Sequence, residues 1–309
     1  MKTIRLNTNN DIPVVGLGTW KSETGFAYNA VRWAIKAGYQ HIDTAPVYGN
    51  QMEIGQALKD AVNEGDIKRE NLFITSKLWN DAHAKEDVLP ALRETLEELK
   101  LDYLDLFLMH WPVAQDKTSK ELVSLKETPL EETWEQMENA LDAGLVKSIG
   151  VSNFGLKTLR EFLPKVRHIP SMNQVENHPF LQQRELVDFC KNHNIAVTAY
   201  APLGSNDRSA DMKREDEPSL LENAVVKEIA ERIDATPAQV LLAFQLTRGL
   251  IVIPKSVNFA RIQENLAAQS IVLDADDMKK LSSLERGYRF IDGTMFKGAD
   301  YLPETMWDV

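Results

Sequence analysis

The chain has 309 residues, 43% of them apolar and 26% charged, with a net charge of −11. That much negative charge works against nucleic acid or an anionic membrane as a partner, and any anionic ligand must find a local cationic site. The one cysteine, Cys190 in the helix-like "ELVDFCKNHN", permits no internal disulfide; no stretch nears the ~18 uninterrupted apolar residues of a membrane span, and "MKTIRLNTNN" lacks a signal peptide's apolar core, so a cytoplasmic protein is expected.

The opening "IRLNTNNDIPVVGLG" predicts a short hairpin, with Asn9 and Asn10 able to take the positive φ of a tight turn. Short apolar runs then alternate with amphipathic stretches to the end of the chain. The strand candidates are 14–20, 41–45, 72–78, 104–110, 148–153, 171–177, 196–203 and 251–256. Between the third and fourth, Leu89, Leu92, Leu96 and Leu99 recur at helical spacing, with Arg93, Glu94, Glu97 and Glu98 turned outward. Between the last two, Val225, Ile229 and Ile233 share one helix face. Eight strand–helix repeats need parallel pairing, and about 250 residues is the dimension of a closed (β/α)8 TIM barrel. A doubly wound open sheet is the alternative, but the alternation nowhere breaks into halves, and no Pro/Gly/Ser-rich linker appears. The expectation is one α/β domain over residues 1–309, with an N-terminal β-hairpin. Three segments, 112–129, 204–221 and 287–309, exceed ordinary loop length. The first two follow the fourth and seventh strands, so they emerge on the C-terminal face, where barrels do chemistry.

The strand ends carry the functional signal. The second run ends at Asp43, with Tyr48 five residues on; the third at Lys77, followed by Trp79; the fourth at His110 and Trp111. The fifth ends at Ser152 and Asn153, the sixth carries Gln174, the seventh Tyr200, and the eighth Lys255 and Ser256. Any one of these has a bland reading, since strands must end and polar residues mark the ends. A barrel brings them to one mouth. Metal hydrolysis fits poorly, because among six histidines only His110 ends a strand and no HExxH spacing occurs, so no metal is expected. There is no G-x-S-x-G for a nucleophilic serine, and only Asp43 stands out where a glycosidase needs two carboxylates. What remains is Tyr48 beside a cation. Lys77, paired with Asp43, is expected to lower the phenol pKa from ~10 and make Tyr48 a general acid. A neutral His110 would orient a carbonyl oxygen, and proton donation to that oxygen suits hydride transfer to its carbon.

The run of motifs "HIDTAPVYGNQMEIG", "ITSKLW", "LFLMHWP", "GVSNF", "NQVENHP", "YAPLGS" and "IPKSVNFARIQEN" resembles the aldo-keto reductase family, over residues 16 to 265. The resemblance implies an NADPH-dependent barrel acting on small carbonyl compounds, usually as a monomer, with Asp43, Tyr48, Lys77 and His110 as its catalytic tetrad. It implies that Thr19, Trp20 and Asp43 lie at the cofactor, that Ser152, Asn153 and Gln174 hold the nicotinamide carboxamide, and that Tyr200 stacks on the ring. Leu203 and Ser205 match the pyrophosphate loop, over which Lys21 and Asp207 form a bridge. Lys255, Ser256, Val257, Asn258 and Arg261 match the 2′-phosphate pocket, and Glu264 and Asn265 the adenine contacts. Trp20, Val47, Trp79, His110 and Trp111 would line the substrate pocket, which favours neutral aldehydes over aldoses. Three departures stand out. Ala201 replaces a serine beside the pyrophosphate, Gln51 replaces a glutamate from which little is expected, and Met212 falls where some relatives place an indole. The alternative function is an NADPH-binding regulatory or structural barrel with little turnover.

Overall fold

A computed structural model describes residues 1–309 except 210, 211, 297, 299, 300, 302–306, 308 and 309; those parts of the 204–221 and 287–309 segments lie outside the described residues. The hairpin forms from β1 (Thr3–Arg5) and β2 (Asp11–Pro13), paired antiparallel. Asn9 takes positive φ at its turn, as expected, but Asn10 does not.

Eight strands pair in parallel in spatial order: β3 (Leu17–Gly18), β4 (His41–Asp43), β5 (Phe73–Leu78), β6 (Leu106–Met109), β9 (Ile149–Ser152), β10 (Met172–Glu176), β11 (Ala196–Tyr200) and β12 (Ile251–Val252). Bridges Val15–Val252 and Gly18–Lys255 join the last strand to the first and close the sheet into a barrel. All eight strand candidates are therefore strands, mostly shorter than the apolar runs that announced them. The 112–129 segment is not structureless. It holds a two-stranded ribbon, β7 (Ala114–Gln115) with β8 (Leu122–Val123).

Helices α1 (Ala27–Ala37) to α6 (Arg184–Asn192) connect successive strands. The β11–β12 connection contains two, α7 (Ala224–Arg232) and α8 (Pro237–Thr247), and α9 (Phe259–Ala267) and α10 (Ala275–Ser282) follow β12. In α7 the buried face centres on Val226, Ile229 and Ala230, with Val225 and Ile233 at its margins. α8 begins with Thr236 as a capping box with Gln239 and Pro237 at its first position. In α3 (Val88–Leu99), Leu92, Leu96 and Leu99 are buried as the spacing requires. Glu98, expected outward, is half-buried and accepts a 2.7 Å hydrogen bond from Gln51 on α2 (Gln51–Asn63). Gln51 also accepts 2.6 Å from Ser76, so an amide at this position links barrel strand to helix layer, where a glutamate would face Glu98 with like charge. The helices α2 and α3 cross closely enough that a Cβ on Gly55 would meet the Glu98 carbonyl at 2.2 Å.

Strand alternation divides the two cores. Ile42, Ile74, Phe107, Met109, Val151, Val175, Val197 and Val252 pack outward under the helices. Phe73, Leu106, Leu108, Met172 and Ile251 point into the barrel, where Leu6 and Ile12 of the hairpin pack onto them and close its N-terminal end. His41 joins this interior layer, bonded to Thr75 at 3.2 Å and pressed against Gly16, where a Cβ would sit 2.5 Å from the imidazole. No helix among the described residues is long and apolar enough to cross a membrane.

Burial pushes His41 down to about 4, so it stays neutral in the fold and takes a proton only after unfolding. Its contribution is intact above the unfolded value of ~6.5 and is lost as pH falls toward 4, about 2 kcal/mol of it between pH 7 and pH 5. Urea unfolding of His41→Gln at the two pH values should show a stability difference smaller by that amount than in the wild type.

Candidate active site

The same alternation that sends Ile42, Phe107 and Val175 outward turns Asp43, Lys77, His110, Ser152, Gln174 and Tyr200 inward, one layer above the apolar interior. Asp43, His110, Ser152, Gln174 and Tyr200 line a cavity of about 430 Å³ at the C-terminal mouth, within the size range of small-molecule sites, and Lys77 is buried behind that lining, bonded to Asp43 and Tyr48. Trp20, Trp79 and Trp111 form its walls, and Val47, 46% exposed, stands at its rim.

Lys77 is the centre of the geometry. Its side chain is fully buried, and its ammonium donates to Asp43 Oδ1 at 2.6 Å, the Thr44 carbonyl at 2.9 Å and Tyr48 Oη at 3.3 Å. Asp43 Oδ2 accepts from Gln174 Nε2 at 2.7 Å, and Thr19 Oγ1 donates to the Asp43 carbonyl at 2.9 Å. Burial pulls Lys77 below its ordinary 10.5 while Asp43 opposes. An ammonium only donates, so Tyr48 Oη is the acceptor of that bond and its own hydrogen is free to point elsewhere.

The expectation that Lys77 lowers the Tyr48 pKa is not met. Desolvation raises the phenol well above 10, and the Asp43 carboxylate adds to the effect. The physical reason is burial first, since a phenolate cut off from water is costly, and then the Asp43 carboxylate, whose negative charge disfavours a second one nearby. Tyr48 therefore holds its proton at neutral pH. His110 is neutral as expected, held well below 6.5 by burial first, with Lys77 and His83 repelling its proton.

The remaining mouth residues form one network. Asn153, at φ 62°, donates to the His110 carbonyl at 2.9 Å and to Ser152 Oγ at 3.2 Å, while its Oδ1 accepts from Tyr200 at 2.7 Å. Ser152 donates to the Gln174 carbonyl at 2.7 Å. Lys21, Asn153, Ala201 and Ser205 all have positive φ, a costly conformation for non-glycine residues that clusters at functional sites. Lys21 donates to Ser205 Oγ at 2.9 Å and pairs with Asp207 at 2.5 Å, and Lys255 reaches the other oxygen of Asp207 at 3.1 Å. Leu203, Ser205 and Met212 line the cavity.

The cavity does not include Ser256, Val257, Asn258, Arg261, Glu264 or Asn265. These lie on the turn into α9 and along it, beyond Lys255. Asn258 caps the helix by accepting from Arg261 N at 3.1 Å, Glu264 accepts from Thr236 at 2.7 Å, and exposed Arg261 has no ion-pair partner among the described residues.

Sequence reasoning missed the part of the wall that the long loops build. Leu221, Ile291 and Met295 line the cavity from the two long loops. Glu176, a second buried carboxylate at a strand end, holds that wall: it accepts from Phe290 N at 2.7 Å, Ile291 N at 2.8 Å and His178 Nε2 at 2.8 Å. Burial raises it, but these donors and Arg289 together keep it below the ordinary carboxylate value. Arg208 ties the loops together, donating to the carbonyls of Ser205, Met212 and Phe290 and pairing with Glu217 at 2.5 Å, its side chain fully buried. Phe296 packs edge-on to Trp111 at 5.0 Å. Apart from Glu176, which shares the inward parity of Gln174 on β10, none of these residues sits in a periodic pattern.

A family model described as the aldo/keto reductase family matches residues 14–286. The chain belongs to that family. It is 45% identical to an aldo/keto reductase of Synechocystis, covering all of this chain and 97% of the relative. It is 45% identical to the mouse aldo-keto reductase family 1 member A1, over 94% of this chain and 91% of the relative. The structure is similar to the aldose reductase of Schistosoma japonicum, with a TM-score of 0.88, 40% identity and 97% coverage of both chains. Family membership makes the chain an oxidoreductase of carbonyl compounds.

Arg208→Met removes the cation paired with Glu217 and takes the guanidinium donor from the Met212 and Phe290 carbonyls, while the Ser205 carbonyl keeps the backbone N–H of residue 208. Breaking such a buried pair costs about 3–5 kcal/mol. Denaturant titration should show that loss, and trypsin should cut at Lys213 or Arg214 faster than in the wild type.

Proposed function

We propose that the chain is an NADPH-dependent reductase of aldehydes, working as a single domain, with Tyr48 as the general acid. The observation that carries the reading is the buried Lys77 ammonium bonded at once to Asp43 at 2.6 Å and Tyr48 at 3.3 Å, two residues that line the cavity. Because Tyr48 accepts from Lys77, its proton points away from the lysine, toward the space a carbonyl oxygen would occupy. As the phenol gives up that proton, the bond from Lys77 strengthens and stabilises the developing oxyanion. His110, neutral, orients the carbonyl by hydrogen bonding. A reduced nicotinamide, when bound, would supply the hydride that the carbonyl carbon takes up.

The residues present fit such a cofactor. Gln174 has committed its amide nitrogen to Asp43, which leaves its oxygen for a carboxamide, with Ser152 and Asn153 beside it. Tyr200 offers a ring fixed in place by Asn153. Thr19, Trp20, Leu203 and Ser205 flank the path outward, and Lys21 with Asp207 forms a strap across it. Lys255 and Arg261 are the cations that an acidic protein reserves for a phosphate, with Ser256, Val257 and Asn258 shaping the turn between them. Glu264 and Asn265 stand further along α9 for adenine. The walls of Trp20, Trp79 and Trp111, with Val47 at the rim, favour neutral and aromatic aldehydes, aldoses being poorer substrates.

Tyr48→Phe should lower aldehyde reduction by ~10²–10⁴-fold, the range of general acid catalysis, with NADPH affinity almost unchanged. Retention of more than a tenth of wild-type turnover would remove Tyr48 from the role.

Charge-assisted hydrogen bonds contribute roughly 1.5–3 kcal/mol each, so NADPH should bind at least tenfold more tightly than NADH. Titration of Arg261→Ala by fluorescence should show weakened NADPH and unchanged NADH. Equal weakening of both would assign Arg261 to the structure of α9.

A further inference from the structure

His110 lines the cavity, yet its Nδ1 is buried without a hydrogen-bond partner, while Nε2 is not among the buried unpartnered atoms. Nε2 is therefore the nitrogen open to the cavity. A neutral imidazole carries one N–H. For Nε2 to donate to a carbonyl oxygen, Nδ1 must be bare and must accept from a group behind the ring. Nothing in the tetrad does this.

Asn80 and His83 are buried, at 0% and 1% exposure, and all four of their side-chain polar atoms also lack partners. With His110 Nδ1 they make five of the fifteen such atoms among the described residues, four of them on one turn. That turn, the 3-10 segment Asn80–Ala82 capped by His83, directly follows Trp79, whose ring packs edge-on to His110 at 5.0 Å. Strand β7, four residues beyond His110, packs against it. Thr133 holds the turn by donating to the His83 carbonyl at 2.7 Å. Burial keeps His83 neutral, and the two imidazoles are near enough that a proton on one would disfavour a proton on the other.

The groups complement one another. Asn80 offers two N–H donors and neutral His83 one, against the Asn80 oxygen, the bare His83 nitrogen and His110 Nδ1. Buried polar groups are seldom unpaired, and those too far apart to bond directly are joined by ordered water. We propose that Asn80 and His83 are positioning residues that, through shared buried water, present a hydrogen-bond donor to His110 Nδ1 and so hold the ring with its proton on Nε2. The inference rests on the reading of His110 as the residue that orients the carbonyl. It adds support for His110 from outside the tetrad, and it explains why two polar side chains are buried in this turn.

The test is nitrogen NMR of the full chain with ¹⁵N-labelled histidine at pH 7, with His110 assigned by its loss in His110→Gln. The wild type should show a single tautomer protonated on Nε2. In Asn80→Leu/His83→Leu that signal should become a mixture, with kcat/KM for an aromatic aldehyde down at least tenfold and NADPH affinity within twofold of wild type. His83→Gln, which keeps an amide donor, should retain at least half of wild-type kcat/KM. An unchanged single tautomer in the double variant, or kcat/KM within twofold of wild type, overturns the proposal. If the double variant does not fold, Asn80→Ala gives the same decision, because the shared water needs both residues. A wild type that reduces no carbonyl but whose tautomer is released in the double variant refutes the enzymatic reading while upholding the hold on the ring.

Discussion

The structure is organised around one buried ion pair. An ammonium and a carboxylate taken out of water each cost several kcal/mol, which their mutual attraction offsets only when every remaining hydrogen-bonding position is filled. Here they are filled. The three N–H bonds of Lys77 go to Asp43, Thr44 and Tyr48, and the two carboxylate oxygens of Asp43 go to Lys77 and Gln174. Three strands, β4 with the turn after it, β5 and β10, must meet within hydrogen-bond range for this to happen, so closure of the barrel and satisfaction of the pair require each other. The bond to Tyr48 is the one member of the set that leads into the cavity, and it is the weakest by distance. Structural necessity and the candidate chemistry share the same lysine.

Which residues face the cavity was legible in the sequence because it depends on a period of two. In "HIDTA", His41 and Asp43 fall on one face and Ile42 on the other; in "LFITSKL", Thr75 and Lys77 oppose Ile74 and Leu78. An apolar run that ends in a charge on its inward parity is a strand whose last inward position meets the mouth. The cavity wall built by Leu221, Ile291 and Met295 was illegible for the opposite reason. Those side chains sit on loops with no repeat, and their positions depend on tertiary bonds from Glu176 and Arg208 to backbone groups, which leave no mark on local pattern. The direction of the Tyr48 shift was also out of reach, since it turns first on how deeply the hydroxyl is buried and then on the Asp43 carboxylate that accompanies Lys77.

The two ion-pair systems of the mouth use the same chemistry in different solvents. Asp43 and Lys77 are dry, and neither can leave without stranding the other. At the rim, Lys21, Asp207 and Lys255 have side-chain exposures of 22%, 50% and 25%, where water competes for every charge and a pair is worth at most about 1 kcal/mol. The dry pair is fixed and the wet cluster can open. The wet cluster is also unbalanced, because two ammonium groups share one carboxylate. The excess shows in Lys21, which burial first, and then Lys255 and Arg208, push below its ordinary value against the pull of Asp207. A net positive charge held in reserve on an acidic protein is an invitation to an anion. In the proposed reading, a pyrophosphate beneath the strap supplies the missing negative charge, so the strap and its ligand stabilise each other while the tetrad below them stays unchanged.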